Sequence, residues 1–241
     1  MSTIVPGATQ IRPSLPDEPL ASPPFEKWLA TLLSVIAGMV DLISFLSLGI
    51  FAAHITGNIV VIGALVARHG RVNLAQILAI PVFIVAVAAT WLLAKASRKH
   101  GHNLMRFLLL VQFLLLACLL IFSVVTTPSA KPHGLTAGIA AMMAVSAMAC
   151  QFALLRLTLP VAPSTAVMTG NLTNAVLSLM DANSRTQPLM TGDTGRLKAS
   201  IHLLIGFFVG CVVAAAALSP LAEWAWLFPA ALAGVILALV K

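Results

Sequence analysis

Long apolar stretches alternate with short polar ones along this chain, and their lengths set the scale of the architecture. A helix needs about 20 apolar residues to cross the hydrocarbon core of a bilayer. Six segments meet or approach that length: 28–50, 74–94, 104–125, 134–155, 199–218 and 221–240. Two others are shorter or more broken, 51–68 (FAAHITGNIVVIGALVAR) and 163–180 (PSTAVMTGNLTNAVLSLM), and each carries Thr-Gly-Asn. The pattern predicts an all-α polytopic integral membrane protein with six spans plus two re-entrant or broken Thr-Gly-Asn segments. Eight spans is the alternative, because 51–68 is apolar enough to cross.

A shared tripeptide is weak by itself, since chance coincidences occur in any search for repeats. The surroundings strengthen it. Small residues closely precede a polar one in the run before each motif, Ala37 and Gly38 before Asp41, then Ala147 and Ala149 before Gln151. After each motif comes a similar pair of spans, with IPVFIVAVA at 80–88 resembling IGFFVGCVV at 205–213. An internal two-fold repeat follows, with halves at 28–126 and 134–241. Three spans per half would make it an inverted repeat, the arrangement that builds a midplane site in many transporters.

Composition removes the soluble classes. Of 241 residues, 60% are hydrophobic and 9% charged, against about 25% charged in a soluble domain. The net charge of +7 would suggest nucleic acid in a soluble protein. Here Lys95, Arg98, Lys99 and Arg106 flank apolar runs without interleaved aromatics, so no nucleic-acid partner is expected and the bases set topology. With six spans, eleven bases fall on the N-terminal side and three (Arg68, Arg71, Lys131) on the other; with eight, the split is nine to five. Positive-inside logic favours six and places both termini in the cytoplasm. The Pro-rich segment 1–27 reads as a disordered cytoplasmic tail without a cleavable signal peptide. Trp28, Trp91, Trp224 and Trp226 are expected as interfacial anchors, and Cys118, Cys150 and Cys211 as small core hydrophobes.

Few residues could carry chemistry. Asp41 is the one acid deep within a predicted span, and a charge at that depth costs at least about 2.5 kcal/mol. Such a residue faces a cavity or a partner, or caps a helix break beside Gly38. Thr56-Gly57-Asn58 and Thr169-Gly170-Asn171 set two hydrogen-bonding side chains around a permissive glycine, reading either as a paired substrate element or as capping and close packing. His54 stands two residues before the first motif and could share a proton with Asp41; Val167 takes that place in the second. Gln151 is the uncharged counterpart of Asp41. These residues form the expected substrate or ion pathway.

Gln112, Thr173, Asn174 and His202 are expected to make interhelical hydrogen bonds. Gly134-xxx-Gly138 and Gly206-xxx-Gly210 are expected to allow close helix contact. His100 and His102 lack acidic or Cys companions, so no metal site is read there, and no cofactor is expected. No Gly-rich phosphate loop, HExxH or GxSxG occurs, so an enzyme is not expected. The expected function is a transporter or channel for a small solute, coupled to protons through Asp41. The rival is a non-transporting membrane assembly or partner protein. The lipid bilayer is the one firm partner, and nothing in the pattern demands a homo-oligomer.

The run AGMVDLISFLSLGIFAAHITGNIVVIG at 37–63, with VMTGNLT at 167–173 and IGFFVG at 205–210, resembles the YoaK-like family of bacterial multi-pass membrane proteins. The similarity covers nearly all of 28–240. It implies a bacterial inner-membrane protein and supplies no reaction, the family being a domain of unknown function. The positions matching its motifs are Gly38, Asp41, Phe45, Phe51, His54, Thr56, Gly57 and Asn58, then Gln151, Thr169, Gly170 and Asn171. The family's Gly-x-Gln-Asn reads Ala149-Cys150-Gln151-Phe152 here, so a role for a second amide beside Gln151 is not available.

Overall fold

A computed structural model describes residues 24–70, 72–99, 103–159, 163–183 and 193–240. Residues 1–23 of the expected tail, together with His100 and His102, lie outside the described residues. The described chain is all-helical: α1 (Pro24–Leu48), α2 (Gly57–Ala67), α3 (Leu74–Lys99), α4 (Leu104–Thr126), α5 (Leu135–Thr158), α6 (Met168–Asn183), α7 (Asp193–Leu221) and α8 (Leu227–Leu239). The first helix begins at Pro24, where a missing N–H is harmless in the opening turn.

Five segments are long and apolar enough to cross a membrane: Trp28–Leu48, Leu74–Arg98, Leu104–Thr126, Leu135–Thr158 and Leu197–Leu239. The last is a single 43-residue apolar stretch that the structure breaks into α7 and α8. At the break Ala222 adopts φ +46° and Ala222–Trp226 forms a 3-10 turn. The expected final span, 221–240, therefore begins with that turn and becomes α-helical only at Leu227. At 11 residues, α2 is about 17 Å long, well short of the roughly 30 Å hydrocarbon layer.

Burial separates central helices from peripheral ones. In the most apolar window of α1, 67% of residues are buried, and in α5 72%, against 17% in α3. α1 and α5 touch at the centre. α1 packs on α7 and α8, and α5 on α3 and α4. Much of the packing therefore crosses between segments 28–126 and 134–241, so neither half builds its own core. The outer helices present Val60, Val85, Val125 and Phe208, each more than 60% exposed. An exterior so apolar is stable only against lipid.

The α1–α7 seam is the closest approach. A Cβ on Gly38 would collide with the Phe207 carbonyl, and one on Gly210 with the Val35 carbonyl; on Gly206 it would lie 2.9 Å from the Thr31 oxygen. Small residues let these backbones touch, and Ser34 Oγ donates across the seam to the Leu203 carbonyl at 2.7 Å. The expected contact role of Gly206 and Gly210 is met. Gly138 differs, because a Cβ there would find no atom within 4 Å: this glycine borders space rather than a neighbouring helix.

Two further expectations are corrected. Trp226 is 1% exposed, since the 3-10 turn carries it inward beside α4 and α1; Trp28, Trp91 and Trp224 stay exposed as anchors should. Cys118 is also exposed, on the outer face of α4, whereas Cys150 is buried.

Candidate functional site

The site begins where α1 ends. Gly49, at φ +70°, turns the chain out of the helix, and the N–H groups of Gly49 and Ile50 return to the carbonyls of Phe45 and Ser44. Only a left-handed residue closes a helix in this way, and glycine adopts it without strain. Gln76 of α3 donates to the Gly49 carbonyl at 3.0 Å. The segment 49–56 then runs beside α1 without helical bonding of its own, so its N–H groups need other acceptors.

Asp41 and Asn58 supply them. Asp41 Oδ1 accepts from the backbone N–H of Ala53 at 2.8 Å and of His54 at 3.2 Å. Its Oδ2 pairs with His54 Nδ1 at 2.7 Å. Asn58 Oδ1 accepts from Phe51 N–H at 2.9 Å, and its Nδ2 donates to the Phe51 carbonyl at 2.8 Å, a two-bond clamp on the backbone of one residue. Phe51 stacks on Phe45 with centroids 4.5 Å apart. A Cβ on Gly57 would press to 2.9 Å from the Phe51 ring, so the glycine of the motif makes room for that aromatic.

Asp41 is 5% exposed and the His54 side chain 30%. The pair therefore bridges a buried carboxylate to an imidazole that reaches the edge of the packed interior. The His54 ring meets Phe207 of α7 edge-on, centroids 5.1 Å apart, and Cys211 Sγ lies 3.6 Å from the Gly38 carbonyl. The α1–α7 seam thus forms one wall of the site.

The second motif repeats one of the two clamp bonds at the same separation. Asn171 Nδ2 donates to the Ser164 carbonyl at 2.8 Å, seven residues back, as Asn58 does to Phe51. In both motifs the Thr is exposed, the Asn buried and the following residue exposed. A Cβ on Gly170 would lie 2.9 Å from Val167 Cγ1. One bond differs in kind. Ala166 N–H, which corresponds to that of Ala53, is satisfied locally by Ser164 Oγ at 3.2 Å, where Ala53 N–H reaches a carboxylate of the preceding long helix.

The structure brings some sequence candidates together and leaves others apart. Asp41 of α1 and Asn58 of α2 both bond the connecting segment 49–56, which carries His54. Thr56 and Thr169 are exposed and turn no side chain into the site. The helices behind the two motifs have different partners, α2 on α3 and α6 on α7, and α2 with α6 is not among the packed helix pairs. Gln151 sits apart from Asp41 in a buried amide chain: Gln112 Nε2 of α4 donates to Gln151 Oε1 at 2.7 Å, and Gln151 Nε2 to the Leu33 carbonyl of α1 at 2.9 Å. This meets the expectation of an interhelical bond for Gln112. Its own Oε1 is buried without a protein partner. Thr173 bonds back to the Thr169 carbonyl within α6, and His202 is exposed.

Sequence reasoning missed Phe207, Gln76 and Ser164. Nothing local marks Phe207 as a wall of the site, because its role comes from helix packing across 153 residues of chain between it and His54. Ser164 was legible in principle as a short side chain that bonds its own turn.

The family model described as a protein of unknown function, DUF1275, matches residues 29–239. The chain belongs to the DUF1275 family. No curated protein and no solved structure matches the chain. The resemblance to YoaK-like membrane proteins agrees with that membership, and the apolar helices mark this DUF1275 protein as a membrane-type helical protein.

Proposed function

We propose that this DUF1275 protein is an inner-membrane transporter or channel for a small solute, with the Asp41–His54 pair as its proton-responsive element. One comparison carries the reading. The turn before α6 satisfies its equivalent N–H with a serine hydroxyl, so the turn before α2 does not require a carboxylate for its own sake. A buried acid is nevertheless held there, paired at 2.7 Å with a partly exposed imidazole. Embedded ionisable pairs of this kind are expensive and mark ion or proton pathways. The 2.7 Å contact between Nδ1 and Oδ2 joins the interior of α1 to the imidazole ring against Phe207.

Six crossing helices, with α2 and α6 as short segments, complete the proposal. The internal duplication is supported by the packing. Exchanging α1 with α5, α2 with α6, α3 with α7 and α4 with α8 turns α1–α7 into α5–α3, α1–α8 into α5–α4 and α6–α7 into α2–α3, all of them packed pairs. Both termini would face the bacterial cytoplasm, following the distribution of bases.

A second reading is a non-transporting assembly or partner protein. It is favoured by the asparagine clamps, whose amides bind backbone groups rather than facing open space. The test compares small-molecule pools inside and outside cells with and without the protein, at acidic and neutral external pH. Transport predicts solutes whose distribution depends on the protein and on pH, with the pH dependence lost in Asp41→Asn at normal protein level. Identical pools with and without the protein would overturn transport; an unchanged pH dependence in the variant would overturn the role of the pair.

A further inference from the structure

A sizeable cavity lies away from Asp41 and His54. It measures about 540 Å³ and is walled by α3, α4 and α5, with Leu78, Leu115, Ile139, Met142 and Met143 along its body. A second hollow of about 300 Å³ shares Leu78 and Ser146 with it and continues along α3 past Pro81 to Ala86. From Leu74 to Ala86 the helix rises about 18 Å, about three-fifths of the roughly 30 Å hydrocarbon layer.

Three features separate this groove from a packing defect. First, Gly138 lines it and a Cβ there would touch nothing within 4 Å. Gly138 stands in the first turn of α5; Gly38, Gly206 and Gly210 meet neighbouring backbone, whereas Gly138, like Gly63 and Gly195, meets none, and of these three it alone lines the cavity. Second, two methionines line the body, the side chain that adapts best to irregular apolar occupants. Third, the mouth is polar: Asn73 and His133 border it, Lys131 stands exposed two residues away, and none of the lining residues is acidic. The volume lies within the usual range for small-molecule sites.

We propose that this groove binds a single-chain amphiphile with an anionic head, of the long-chain fatty acid class, its chain along α3 and α5 and its carboxylate at Lys131 and His133. The lining follows α3 and α5 as one elongated course with Leu115 of α4 beside it, which favours a single chain over a two-chain lipid. The inference goes beyond the proposed transport function, since binding here requires neither Asp41 nor His54.

The test uses the full chain in phosphatidylcholine nanodiscs with spin-labelled stearate, read by electron paramagnetic resonance. A saturable immobilised component of about one probe per chain is expected, displaced by unlabelled hexadecanoate and not by hexadecanol. Gly138→Leu should weaken binding tenfold or more, about the effect of displacing two buried methylenes. Lys131→Gln, on an exposed loop, should weaken it severalfold and reduce the preference for acid over alcohol; it decides the question if Gly138→Leu does not fold. Equal immobilisation of spin-labelled phosphatidylcholine, or wild-type affinity in both variants, would overturn the assignment.

Discussion

Replacing Asp41 in two ways separates its charge from its hydrogen bonding. In Asp41→Ala the N–H groups of Ala53 and His54 lose their acceptor, and His54 Nδ1 loses its partner. An orphaned buried N–H costs about 1–3 kcal/mol. The Ala53 bond is the shorter and more buried of the two, and hydrogen bonds within membranes average nearer 0.6 kcal/mol. A combined loss of about 2–4 kcal/mol is expected, a large fraction of a typical stability of about 5–15 kcal/mol. In Asp41→Asn the amide oxygen can keep both backbone bonds while Nδ2 donates to the imidazole, which must then carry its proton on Nε2. That variant should stay within about 1 kcal/mol of wild type. The assay is reversible unfolding of purified protein in lipid-containing micelles, titrated with denaturing detergent. If Asp41→Ala is as stable as wild type, the carboxylate does not hold the loop. If Asp41→Asn is as damaged as Asp41→Ala, charge rather than bond count maintains the structure, and the reasoning above is wrong.

Two other predictions are independent of that site. In the buried amide chain, Gln112→Leu strips a donor from Gln151 and Gln151→Leu leaves both Gln112 and Leu33 short of a partner, so each single change should cost about 1–2 kcal/mol. The double variant should recover part of that loss, and additive losses in an unfolding cycle would refute the coupling. Cysteines introduced at His69 and Asn183 should react with an impermeant thiol reagent from opposite faces of the membrane if six helices cross. Labelling of both from one face would instead support eight.

The two stability predictions depend on long-range partners, and this marks the division between what was legible in the residues and what was not. Apolar run lengths announced membrane helices because a lipid solvent imposes a length and forbids unpaired backbone groups, constraints that act locally on any chain. Asp41 and the two Thr-Gly-Asn motifs stood out for the same reason, being polar groups where polarity is costly. The packing decided how each of them is satisfied. Asn58 and Asn171 clamp a peptide seven residues back, a role visible only once the turn is closed. Gln151 matches Asp41 in sequence position, yet it bonds Gln112 and Leu33, because α4 and α1 converge on it and no loop does. The same holds for glycine. Residue type announced small volume at both Gly210 and Gly138, but only the tertiary structure determined that one meets a backbone and the other lines a groove, since contact across helices depends on crossing geometry that no local pattern encodes.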